Sequence, residues 1–355
     1  MLLLYTAILL LSFYLLYFFS EHYFIPSLDE IGKKLKMTSD ISGATLMAAG
    51  SSAPELAVVI VAVLKAGNHE AIGVGTIVGS ALFNLFVISG AALLIKKKAK
   101  LVWQPLIRDL LFYALSVVLL VWFFKDGTLS NWEAFTFVTG YAVYIVVLYS
   151  WKKIFPYEDT EQISDEDKEP ELNRFEKKIK RFIKRVFRNV NNLYVVFILS
   201  IAAISVLSWA LVSSAIEISE ILGIHEVIIA LTVVAIGTSV PDLVSSVIVA
   251  KQGRPGMAVN NAVGSNIFDI LIGLGFPFLL YHVFSEGTIT IAYHDLDIAF
   301  GFLMGSIVIL TLLFIIYRWK TNKVFGIILI LMYLTYLTFE IICAIYPGLG
   351  FCMNS

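Results

Sequence analysis

The sequence predicts an all-α membrane protein of ten transmembrane helices, arranged as two inverted-topology repeats of five. Three observations predict it. Apolar runs of spanning length recur along the chain, basic residues fall on alternate connections, and a pair of motifs occurs twice in the same order.

Composition sets the first boundary. Of 355 residues, 59% are hydrophobic and 15% are charged, with a mean hydropathy of +0.85. A soluble domain is about one quarter charged, so this balance belongs in a bilayer. Runs of roughly twenty apolar residues, each able to cross about 30 Å of hydrocarbon, fall at 2–20, 41–65, 72–95, 107–124, 132–151, 193–215, 226–250, 257–281, 297–317 and 323–345. The first run has no basic residue before it and no small-residue cleavage pattern after it, so it reads as a retained span and not a signal peptide. Cys343 and Cys352 are too few for a disulfide framework or a zinc site. The formal net charge of −1 identifies no partner, and no nucleic-acid partner or cofactor is expected.

Charge alternation fixes the expected orientation. Of the 26 Lys and Arg residues, 24 fall on one set of alternate connections, among them Lys33, Lys96, Lys251 and Arg318. Only Lys65 and Lys125 fall on the other set. Basic residues mark the cytoplasmic side, so both termini are expected outside, in a plasma or cell membrane, with the long connection 152–190 in the cytoplasm. That connection is acidic from Glu158 to Glu171 and expected to be disordered. From Arg174 to Arg188 it is basic, with apolar residues at helical spacing. This segment fits an amphipathic helix on anionic lipid and equally a solvated stop-transfer tail.

The repeat divides the chain into a first five-helix unit at 1–151, with its motifs within 42–95, and a second at 191–355, with its motifs within 229–280. The second span reads Gly50-Ser51-Ser52-Ala53-Pro54-Glu55-Leu56, and the seventh reads Gly237-Thr238-Ser239-Val240-Pro241-Asp242-Leu243. The third carries Val78-Gly79-Ser80-Ala81-Leu82-Phe83-Asn84, and the eighth carries Val263-Gly264-Ser265-Asn266-Ile267-Phe268-Asp269. Equivalent spans are five apart. Five is odd, so the copies must enter the membrane from opposite sides, as the repeats of secondary transporters do.

These residue types in this pattern suit a cation site. Pro54 and Pro241 lack the N–H that would bond the carbonyls of Gly50 and Gly237, so both helices should break there. Broken helices at membrane depth are tolerated where they line a polar cavity. Ser51 and Ser52 precede Glu55 by four and three residues, as Thr238 and Ser239 precede Asp242. Ser80 and Asn84 are four apart, as are Ser265 and Asp269, which puts each pair on one helix face. Hydroxyls, carboxylates, amides and carbonyls are ligands for Ca²⁺ and Na⁺, and ill suited to copper or zinc. A mid-membrane carboxylate costs about 2.5–3.5 kcal/mol or more, and Glu55, Asp242 and Asp269 have no Lys or Arg in these four spans to offset them. Close packing of small residues would explain the Gly and Ser but not the three acids.

At these residues the sequence resembles the sodium/calcium exchanger superfamily, and within it the potassium-dependent branch, on Met47-Ala48-Ala49-Gly50-Ser51-Ser52-Ala53-Pro54-Glu55-Leu56, Gly75-Thr76-Ile77-Val78-Gly79-Ser80 and Gly264-Ser265-Asn266-Ile267-Phe268-Asp269. The resemblance implies a midplane site with Glu55 and Asp242 as principal Ca²⁺ ligands. It implies that Ser51, Ser52, Ser80, Asn84, Thr238, Ser239 and Ser265 line the Ca²⁺ and Na⁺ sites, and that Asp269 is the candidate K⁺ determinant. The short connection at 152–190 departs from the longer one of animal relatives. A Ca²⁺/H⁺ exchanger using the same carboxylates is the alternative. An enzyme is not expected, because none of the five histidines falls within a motif. Glu340 is expected at the membrane interface, Arg108–Asp109 as a local ion pair, and Glu217, Glu220 and Glu226 in an outer loop.

Overall fold

The computed structural model describes residues 1–34, 45, 48–65, 69–95, 101–157, 192–251, 253, 255–284, 289–290, 296–320 and 322–345. The acidic and basic halves of the long connection lie outside the described residues, as does the start of the expected second span.

The first half comprises α1 (Leu2–Phe19), α2 (Ile25–Lys34), α3 (Ala48–Ser51), α4 (Ala53–Leu64), α5 (Glu70–Phe83), α6 (Ser89–Ile95), α7 (Trp103–Phe123) and α8 (Asn131–Ile154). The second half comprises α9 (Leu193–Leu222), α10 (Glu226–Ile229), α11 (Ala235–Thr238), α12 (Val240–Lys251), α13 (Pro255–Phe268), α14 (Gly275–Phe284), α15 (Asp297–Ile316) and α16 (Lys323–Ile345). Wide π-turns join α1 to α2, α5 to α6, α10 to α11 and α13 to α14.

Among the described residues, eight helical stretches are long and apolar enough to cross a membrane, nine if α10–α12 counts as one bent span. The expected count of ten includes 41–65, of which the twelve-residue helix α4, apolar apart from Glu55, is the main described part. One feature is absent from the sequence reading: the first span runs on through a π-turn into α2, so the connection expected after it is helical.

Burial sorts the helices. In the most apolar 18-residue part of Glu70–Ile95, 83% of the residues are buried, and in that of Pro255–Val283 78%, whereas in the first span and α8 only 22% are. The two motif-bearing stretches therefore form the centre, and the helices without motifs face outward with large apolar side chains such as Trp122, Trp132 and Trp209. α5 crosses the π-turn Ala230–Val234 and α11 of the other half. Gly79 makes this possible, because a Cβ there would overlap the carbonyl of Leu231 and lie 2.7 Å from Ala235 Cβ. α1 pairs along α9, and the two share a hydrophobic cluster separate from the main core.

Connections from the two halves meet at both ends of the bundle. A two-residue antiparallel strand pair joins β1 (Thr128–Leu129) to β2 (Ile289–Thr290), and the His282 ring lies 3.0 Å from the Leu129 carbonyl. His69 Nδ1 lies 2.9 Å from Glu226 Oε2, linking the starts of α5 and α10. At the other end, Leu101 N donates to Trp319 O at 2.8 Å.

The structure adds detail at three peripheral places. Arg108 and Asp109 do form a bidentate pair, at 2.7 and 3.0 Å, but both are buried, and Tyr144 Oη donates to Asp109 Oδ1 at 3.1 Å. Glu340 is 4% exposed beside Tyr336, on a face of α16 turned into the bundle. Cys343 is disulfide-bonded.

Candidate cation-binding site

Two broken helices build the site. In the first half, α3 ends at Ser51 and α4 begins at Ala53, with Ser52 between them at φ −86°, ψ 7°. In the second half, α11 ends at Thr238 and α12 begins at Val240, with Ser239 at φ −83°, ψ 3°. The matching angles show the same break twice, two residues beyond each glycine. Ser52 N still bonds Ala48 O, and Leu56 N bonds Ser52 O. The carbonyl that Pro54 cannot reach is therefore that of Gly50, and by the same pattern Pro241 misses that of Gly237. Across the second break the axis bends by 44°.

The third and eighth spans supply the facing wall. Both leave the α-helix for a π-turn at equivalent residues, Asn84 and Asp269. Such widenings cluster at functional positions, because they redirect a side chain without ending the helix. Both stretches are buried nearly all round, so there is no hydrophobic face whose shift would reveal the extra residue in the sequence.

All ten expected site residues converge, and each is at most 3% exposed. Ser239 Oγ donates to Glu55 Oε1 at 3.0 Å, and Ser80 Oγ lies 2.8 Å from Ser239 Oγ and 3.5 Å from the same carboxylate oxygen. Thr238 neighbours Glu55 as well, with its hydroxyl 3.1 Å from Val234 O. Around Asp242, Ser265 Oγ donates to Oδ1 at 3.4 Å and Asn84 Nδ2 donates to Oδ2 at 3.2 Å. Ser51 adjoins Asp242 and shares a hydrogen bond with Ser265 at 3.4 Å. Each principal acid is thus approached by one group from its own half and two from the other.

Asn266 belongs to the site and the spacing rule missed it, because it lies off the face shared by Ser265 and Asp269. Its Oδ1 accepts from Asn84 Nδ2 at 3.1 Å, and its Nδ2 donates to Ala81 O at 3.0 Å. Ala81 is the residue equivalent to Asn266 in the repeat, so this contact marks the pseudo-two-fold axis.

The electrostatics are uncompensated. Glu55, Asp242 and Asp269 are fully buried, and the one buried basic side chain among the described residues, Arg108, is engaged by Asp109. Asp269 lies beside Ser52 and Ser80, yet neither carboxylate oxygen has a hydrogen-bond donor. Glu55 Oε2, Asn84 Oδ1 and Ser52 Oγ are likewise buried without partners. Unmade hydrogen bonds of this kind cost about 1–3 kcal/mol each, more for charged groups. Among the described residues no three acids, histidines or cysteines converge tightly enough to hold a metal ion by themselves. Any ion held here needs the hydroxyl and amide oxygens as well.

The family described as "Sodium/calcium exchanger protein" matches residues 4–150 and 192–342, which takes in both broken helices and both π-turns. The chain belongs to this family. Among curated relatives of this exchanger, "Sodium/potassium/calcium exchanger 2" of Gallus gallus is 28% identical, over 91% of this chain and 74% of the relative. "Sodium/potassium/calcium exchanger 5" of Homo sapiens is 28% identical, over 95% and 83%. Among solved structures, the sodium-calcium exchanger NCX_Mj superposes with a TM-score of 0.58 at 24% identity, covering 95% of this chain and 99% of that one. The H⁺/Ca²⁺ exchanger CAX superposes with a TM-score of 0.57 at 17% identity, covering 95% and 87%. At these identities the structures speak for the fold. The exchanger is a transporter and not an enzyme.

Proposed function

We propose that this exchanger is a secondary antiporter that moves Ca²⁺ against Na⁺, with K⁺ carried alongside Ca²⁺, by alternating access to the site around Glu55 and Asp242. The observation that carries the reading is the set of three fully buried carboxylates with no basic partner, surrounded by hydroxyl and amide oxygens. Bound cations are what such a cluster lacks. Three carboxylates match the charge of one Ca²⁺ and one K⁺, and the bare oxygens of Asp269 favour a second cation beside Glu55. The printed names of the curated relatives support the same three ions. An empty site would bury uncompensated charge, so the transporter should switch sides only when loaded.

The reading includes ten spans, both termini outside and 152–190 in the cytoplasm. The charge alternation supports it, as do the connections that meet at each end of the bundle. A disulfide at Cys343 suits an oxidising outer compartment.

The test is Ca²⁺ uptake into proteoliposomes loaded with Na⁺, with external Na⁺ removed and K⁺ present or absent. Uptake requiring internal Na⁺ and external K⁺ is expected. Uptake requiring Na⁺ alone would remove K⁺ from the reading, and uptake driven only by a pH gradient would replace Na⁺ with H⁺.

A further inference from the structure

The ion site is mirrored between the repeats, but the helical turn beside it is not. One turn from Asp242 along α12 stands Ser246, and one turn from Ser265 along α13 stands Asn261. These helices pack together, and Asn261 Nδ2 donates to Ser246 Oγ at 3.3 Å. The pair forms a second rung, about 5.4 Å along the helices from the rung that Ser265 makes with Asp242. Beside Asn261, Asn260 Oδ1 is buried with no hydrogen-bond partner. The equivalent positions in the first repeat, counted from Glu55 and Ser80, are Val59 and Thr76. Val59 is apolar, and Thr76 Oγ1 donates to its own helix at Ile72 O, 2.7 Å away. Both are completely buried, and where Asn260 stands in the second repeat the first has Gly75, where a Cβ would lie 3.0 Å from Ala230 Cβ. The polar rung lies toward the 251–255 turn and the apolar rung toward the 65–69 turn. The repeats being inverted, these are opposite faces of the molecule.

We propose that Ser246 and Asn261 form a way-station for an alkali cation, between the site and the face that carries the 152–190 connection. The rung offers a hydroxyl and a carboxamide oxygen and no carboxylate. Such neutral oxygens replace part of the water shell of Na⁺ or K⁺ without trapping the ion, whereas Ca²⁺ takes six to eight oxygens, carboxylates among them. An ion leaving the carboxylates toward this face sheds its protein ligands in two steps. Toward the other face it meets Val59 and a self-satisfied Thr76, and must do so in one. The asymmetry gives the exchanger different apparent Na⁺ affinities on its two faces without changing the site itself.

This inference rests on the proposed cation exchange at Glu55 and Asp242, and the test separates the two. The full chain is reconstituted in vesicles of known orientation, and half-saturation by Na⁺ is measured on each face. Ser246→Ala and Asn261→Leu should each raise it on the 152–190 face on the order of fivefold, as for loss of one neutral oxygen contact, and by less than about twofold on the other. Val59→Ser, which introduces a hydroxyl in the mirrored place, should lower half-saturation on the opposite face. Wild-type protein without Na⁺-coupled flux would sink the proposed function. Normal wild-type flux, with variant shifts equal on both faces or absent, would overturn the way-station alone.

Discussion

Asn84 and Asp269 occupy equivalent places in the two repeats, and a single atom type separates their roles. Asn84 has an N–H to give, and gives it to Asp242 and Asn266. Asp269 has none, so beside Glu55 its two oxygens remain without donors. Asp269→Asn should therefore remove any K⁺ dependence of Ca²⁺ uptake. It should also stabilise the ion-free protein by about 1–3 kcal/mol, read as a higher melting temperature in chelator, because a buried unpaired charge is replaced by an amide. At Asp242, which already accepts from Ser265 and Asn84, the substitution relieves no bare oxygen. Glu55→Gln and Asp242→Asn should each abolish Ca²⁺ flux, measured with the same vesicles, while the protein remains inserted and monodisperse. Near-normal flux in either would remove that residue from the ion site.

The breaks at Ser52 and Ser239 need room, and neighbouring helices define it. Gly79 lets α5 lie against the carbonyl of Leu231, and Gly237 lies directly under the ring of Phe13 from α1. Gly79→Ala should cost about 1–3 kcal/mol, the usual penalty of overpacking, because the atom it meets is backbone and cannot rotate away. Thermal unfolding in detergent, followed by light scattering, checks this. Gly237→Ala meets a side chain instead, so its loss of stability should be largely restored in the double variant with Phe13→Ala. If the double variant were no better than the single one, the Phe13 contact would not be the constraint. The ring ties the first span to the broken helix, while the rest of α1 packs on α9 in a cluster that also takes in Val58, Ala62, Ala230 and Val234 of the motif-bearing spans.

Connections that meet across the repeats make orientation testable for the whole molecule. The strand pair from Thr128–Leu129 to Ile289–Thr290 and the His69–Glu226 contact lie at one end of the bundle, and Leu101–Trp319 lies at the other. Single cysteines introduced at Lys125 and Lys320 in a background lacking Cys343 and Cys352 should label from opposite sides. An impermeant maleimide should reach the first in intact cells and the second only after permeabilisation. Labelling of both from outside would contradict an inverted repeat.

The sequence alone determined the membrane class, the pair of motifs that occurs twice, and the ten residues that come together in the structure. Those follow from hydropathy, charge and local spacing, which need no knowledge of how helices pack. Tertiary structure decided what distance in sequence conceals. It brought Ser239 to Glu55 and Asn84 to Asp242, from opposite repeats, and placed Asn266 on the axis. It widened both helices at Asn84 and Asp269, buried Glu340, and set a polar rung beside only one half of the site. The reason is that periodicity reports which face of a helix is apolar, while the identity of the group opposite a buried polar atom depends on how the helices cross.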